Sequence, residues 1–131
     1  MSKNEQRILV VDDDVDIIEQ TRLCLTQAGY AVIAAESEAE AERLIEEGGF
    51  DLAILDLMME HVDAGFILSH KLRRRHPHVP IIIITSVTRE TGFRFGAETE
   101  EERDWINADL IIQKDVRPEQ LVGEVRRLLR G

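Results

Sequence analysis

At 131 residues the chain is sized for one domain with a core of its own. A hydrophobic fraction of 44% beside a charged fraction of 32% excludes a disordered chain. A formal net charge of -10 sets the surface against nucleic acid and anionic membranes, whose phosphates attract Lys and Arg.

The polar residues 1–7 lack the apolar stretch of a signal peptide, and no later run is long enough to span a bilayer. A lone cysteine, Cys24, cannot close an internal disulfide. Together these point to the cytoplasm. The expected partners are proteins or small ions.

In chain order, short apolar runs alternate with amphipathic segments. Ile8-Leu9-Val10-Val11 reads as a first strand ending in Asp12-Asp13-Asp14, with Asp14 placed to cap the helix that follows. Ile17, Ile18, Thr21, Cys24, Leu25 and Ala28 keep helical spacing, and Gly29 stops that helix. A second strand over 31–35 leads to Ser37-Glu38-Ala39-Glu40, a capping-box pattern opening a helix that Gly48-Gly49 ends.

Leu52-Ala53-Ile54-Leu55 forms a third strand ending in Asp56. A helix is expected from near Asp63, with Gly65, Leu68, Ser69 and Leu72 on one face and Arg73-Arg74-Arg75 at its close, where positive charge suits the dipole. His76-Pro77-His78 then reads as a solvated turn rather than a metal pair.

Four isoleucines, Ile81 to Ile84, make a strand buried on both faces and end in Thr85. Residues 88–97 carry no period and read as an extended loop. A short helix after Thr99 reaches Trp105 and Ile106, with Trp105, Phe93 and Phe95 as packing residues. Leu110-Ile111-Ile112 is a fifth strand, closed by Gln113 and Lys114. Pro118 opens a last helix with Leu121, Val122, Val125, Leu128 and Leu129 in one stripe.

Strict βα alternation over residues 1–131 predicts one α/β domain: a flavodoxin-like, doubly wound, five-stranded parallel sheet with helices on both faces. Strand two is the least apolar and strand five is interrupted by Gln113, so both belong at edges, giving the order 2-1-3-4-5. The carboxyl ends of strands one, three, four and five then converge. They carry Asp12, Asp13 and Asp56, the Thr85 hydroxyl and the Lys114 ammonium.

Neighbouring carboxylates repel unless a cation sits among them, and hard oxygen donors select Mg²⁺ or Ca²⁺. Phosphoryl transfer needs an acceptor oxygen, a metal on the phosphoryl oxygens and further positive charge opposite. Asp56 is the candidate acceptor, Asp12 and Asp13 the metal site, and Lys114 the second cation.

These segments, with Leu52-Ala53-Ile54-Leu55-Asp56-Leu57-Met58-Met59 and Ile81-Ile82-Ile83-Ile84-Thr85-Ser86, resemble the receiver domain of bacterial response regulators along the whole chain. The resemblance implies a stand-alone receiver that is a signalling module rather than an enzyme. Asp56 would accept a phosphoryl group from a phosphohistidine of a sensor histidine kinase or phosphotransfer protein. Mg²⁺ would be held by Asp12, Asp13 and Asp56 with the backbone carbonyl of Met58, while Thr85 and Lys114 would engage the phosphoryl group. No other cofactor is implied. The phosphorylated form would modulate docking to a protein target, and homodimerisation stays open.

Departures from the family pattern bear on the output side. Glu60-His61-Val62 replaces the usual proline after Met59, Asp115 rather than proline follows Lys114, and Ile111 stands where an aromatic commonly signals the active state. The signal is therefore expected to leave through residues 86–109.

Two alternatives stand beside this reading. A haloacid-dehalogenase-like phosphatase would use Asp12 as nucleophile and Asp14 as acid/base, but leaves Asp56 without a role and lacks a later acidic pair. A phosphorylation-independent docking module is the other.

Overall fold

The computed structural model describes residues 6–56, 64–85, 109–113 and 117–130. In chain order these form β1 (Arg7–Val11), α1 (Val15–Gln27), β2 (Ala31–Ala35), α2 (Glu38–Glu47), β3 (Leu52–Asp56), α3 (Ala64–Arg75), β4 (Ile81–Thr85), β5 (Leu110–Gln113) and α4 (Pro118–Arg130). The five strands make one sheet in the order β2-β1-β3-β4-β5, with every pairing parallel. This is the doubly wound order expected, with the weakest strands at the edges. The helix and loop anticipated between Thr85 and Asp109 lie outside the described residues.

Two cores follow from the period-2 alternation of buried strands. Leu9, Val11, Ala53, Leu55, Ile81 and Ile83 pack with Ala41 and Ile45 of α2 and Leu68 and Leu72 of α3. Ile8, Val10, Leu52, Ile54 and Ile82 pack on the other face with Ile18 and Leu25 of α1 and Leu121 and Val125 of α4. Ile81 and Ile82 are fully buried and Ile83 is 1% exposed, so the isoleucine run serves both layers.

The helix boundaries have local causes. The Asp14 side chain caps α1 by accepting from the Asp16 N–H at 3.0 Å. Ala28 is its C-cap, and Gly29 follows with φ 101°. At α2, Ser37 Oγ accepts from the Glu40 N–H at 3.1 Å, while Glu40 Oε1 accepts from the Glu36 N–H at 2.9 Å, one residue earlier than the reciprocal box pattern.

The His76-Pro77-His78 segment differs from expectation. His78 is exposed, but His76 is half-buried: its Nε2 lies 2.8 Å from the Ile45 carbonyl and its ring meets Phe50 edge-on at 5.2 Å between centroids. A carbonyl can only accept, so Nε2 carries the hydrogen. The ring latches the end of α3 to the end of α2. Gly48 makes room for it, since a Cβ there would meet His76 Cε1 at 3.2 Å and the backbone is left-handed at φ 72°.

Candidate phosphoacceptor site

Register alone brings Asp12, Asp56 and Thr85 to one sheet edge. Val11 pairs with Leu55, so Asp12 and Asp56 follow on neighbouring strands. Asp56 pairs with Ile84, and Thr85 pairs with Gln113, the residue before Lys114. Asp12, Asp56 and Thr85 thus occupy the carboxyl ends of β1, β3 and β4, which are adjacent in the sheet. The side chains of Asp56 and Thr85 lie outside what is described, as do Met58, Lys114, His61, Phe93, Phe95, Trp105 and the peptide bond between Lys114 and Asp115.

The acidic triplet divides its work. Asp12 is only 4% exposed. Its N–H donates to the Ala35 carbonyl at 3.1 Å, which extends the β1–β2 ladder, and its Oδ1 accepts from the Asp14 N–H at 2.9 Å. Asp13 is exposed, and Asp14 is committed to the α1 cap. A buried carboxylate requires hydrogen bonds or positive charge nearby. The all-oxygen donor set of Asp12 and Asp13 at a strand end suits a hard divalent cation. Among the described residues no group of three His, Cys, Asp or Glu side chains forms a complete metal cluster.

Two polar residues that the sequence reading passed over are structurally important. Asp51 and Asp109 each stand immediately before a strand, β3 and β5 respectively, and each hydrogen-bonds the neighbouring strand with both backbone and carboxylate. Their partners are 44 and 28 residues away, so no local pattern marks them. The usable signal was their place directly ahead of apolar runs whose own register is weakly encoded.

Comparison with known proteins agrees with the fold. The family model for the response regulator receiver domain matches residues 8–126, and the chain belongs to that family. It is 38% identical over 86 residues, 66% of its length, to the transcriptional regulatory protein GlrR of Escherichia coli (strain K12). The chain spans about a fifth of the curated relatives it matches, the aligned share being 19% of GlrR.

Among solved structures, a CheY-like response regulator receiver domain protein from Methanospirillum hungatei superposes with a TM-score of 0.81 at 27% identity, covering 97% of this chain and 95% of that one. The response regulator TrrA of Thermotoga maritima, solved in complex with Mg²⁺-BeF, gives a TM-score of 0.76 at 28% identity, covering 94% and 98%. The protein is therefore a receiver domain of the two-component type, a signalling module built to accept a phosphoryl group. The haloacid-dehalogenase-like alternative loses its support, and its proposed acid/base, Asp14, is engaged as a helix cap.

Proposed function

We propose that Asp56 accepts a phosphoryl group from a phosphohistidine of a sensor histidine kinase or histidine phosphotransfer protein. The observation that carries this reading is the register: Asp12, Asp56 and Thr85 end three adjacent parallel strands, and Lys114 directly follows the partner of Thr85. A carboxylate oxygen of Asp56 forms a bond to phosphorus while the P–N bond of the donor breaks, the electron pair leaving with the imidazole. The product is an acyl phosphate.

Asp12 and Asp13, with Asp56 and the Met58 carbonyl, would hold Mg²⁺; that a solved relative, TrrA, is a complex with Mg²⁺-BeF supports the choice of ion. Bound there, the ion neutralises charge on the phosphoryl oxygens. Lys114 pairs with the phosphoryl group, and the Thr85 hydroxyl reports its presence to the rest of the fold. The reading treats residues 1–131 as one receiver unit that works in the cytoplasm and changes its docking to a protein target. Its net charge of -10 assigns no nucleic-acid contact to this domain.

Mass measurement after incubation with acetyl phosphate and Mg²⁺ tests the proposal. Wild type should gain one phosphoryl group, Asp56→Asn none, and Asp13→Asn should need more Mg²⁺. Modification of Asp56→Asn at wild-type stoichiometry would overturn it.

A further inference from the structure

Sheet register decides which residues meet at the acceptor edge, yet β4 and β5 encode their mutual register weakly. β4 presents the same side chain at four successive positions, Ile81 to Ile84, and β5 follows with Leu110-Ile111-Ile112. A slip of one residue normally turns a strand's apolar set outward. Here it exchanges one branched aliphatic for another, so burial discriminates poorly, while the strand end moves by about 3.3 Å.

The polar contacts at the opposite end of β5 do discriminate. The Asp109 N–H donates to the Ile81 carbonyl at 2.8 Å, and Asp109 Oδ2 accepts from the Ile81 N–H at 2.7 Å. The same oxygen accepts from Arg73 Nη2 at 2.8 Å, and Arg73 Nη1 donates to the Pro77 carbonyl at 3.2 Å. Asp109 is thus tied to the first residue of β4 and to the end of α3.

An equivalent clasp joins β3 to β1. The Asp51 N–H donates to the Arg7 carbonyl at 2.7 Å, and Asp51 Oδ2 accepts from the Arg7 N–H at 2.8 Å. Twice, then, an aspartate directly ahead of a strand brackets the first residue of its neighbour. In each clasp both bonds fall on a single residue of the neighbouring strand, and at Asp109 the Arg73 bond, itself anchored at the Pro77 carbonyl, ties the clasp to the end of α3, so that a slip of β5 along β4 breaks it.

We propose that Asp109 is a positioning residue for phosphoryl transfer: it pins β5 to β4 in the register that pairs Gln113, the residue directly before Lys114, with Thr85. The inference rests on the roles given above to Asp56 and Lys114. It adds a determinant at the far end of the sheet that acts only through the lysine.

A kinetic double-mutant cycle tests it, read as the initial rate of Mg²⁺-dependent phosphorylation by acetyl phosphate, with melting temperature measured alongside. Asp109→Ala should slow the reaction by about tenfold or more, since small displacements of a catalytic group are costly. In a Lys114→Ala background the same change should have no further effect on rate while still lowering the melting temperature. Asp109→Asn, which keeps an oxygen able to accept from Ile81, should retain most of the wild-type rate.

Equal slowing in both backgrounds would show a merely structural role and overturn the proposal, as would an unchanged rate in Asp109→Ala. A wild-type rate in Lys114→Ala would overturn both this proposal and the reading beneath it. A slow Lys114→Ala beside a normal Asp109→Ala would sink the pin alone. Should Asp109→Ala not fold, Asp109→Ser takes its place in the cycle; if neither folds, Asp109 is a folding determinant and the proposal fails.

Discussion

Within the triplet Asp12-Asp13-Asp14, identical side chains do different work because their backbone positions differ. Asp12 still belongs to the sheet through its bond to Ala35, Asp13 points to solvent, and Asp14 caps α1. Asp14→Ala should therefore cost about 1 kcal/mol of stability, as lost N-caps do, with phosphorylation kept. Urea unfolding beside the phosphorylation assay checks this; a loss of phosphorylation in a folded Asp14→Ala protein would contradict the division. The sequence already placed Asp14 at a helix start, since an acidic residue ahead of an amphipathic run has an obvious local use.

At the scale of elements, the strands and their order were legible because hydrophobic runs and their lengths are local properties. Ile81 to Ile84 had to be buried on both faces, and α4 carried its stripe openly. The His76 latch was not legible. A histidine beside proline reads as a turn, and nothing nearby points to Ile45, 31 residues earlier. His76→Ala should destabilise the domain by about 1–2 kcal/mol, combining a lost hydrogen bond with a lost ring contact. His76→Gln, whose amide can still donate to Ile45, should recover part of this. Equal stability of the alanine variant and wild type in urea titration would show that the latch contributes nothing. The clasps of Asp51 and Asp109 escaped for the same reason: their partners are distant in sequence and become neighbours only once the sheet exists.

Across the whole molecule, the part of the candidate site that was legible is a set of strand ends, because the parallel topology brings Asp12, Asp56 and Thr85, far apart in sequence, to adjacent strand ends. The cost is electrostatic. Bringing Asp12, Asp13 and Asp56 to adjacent strand ends of a chain with a net charge of -10 concentrates repulsion where the proposed ion binds. Mg²⁺ should raise the melting temperature by binding only the folded form, and metal-free Asp13→Asn should melt above metal-free wild type. Scanning calorimetry with and without chelator reads both. A lower melting temperature for metal-free Asp13→Asn would mean that the carboxylates are not in conflict.

If Asp56 is the acceptor, a single carboxylate, at the end of β3, takes the phosphoryl group. Reduction of the acyl phosphate with borohydride converts the modified aspartate to homoserine, and peptide mass spectrometry then locates it. After treatment with acetyl phosphate and Mg²⁺, homoserine is expected at position 56 alone. Homoserine at position 12, or an unconverted Asp56 in protein that has gained a phosphoryl group, would contradict it.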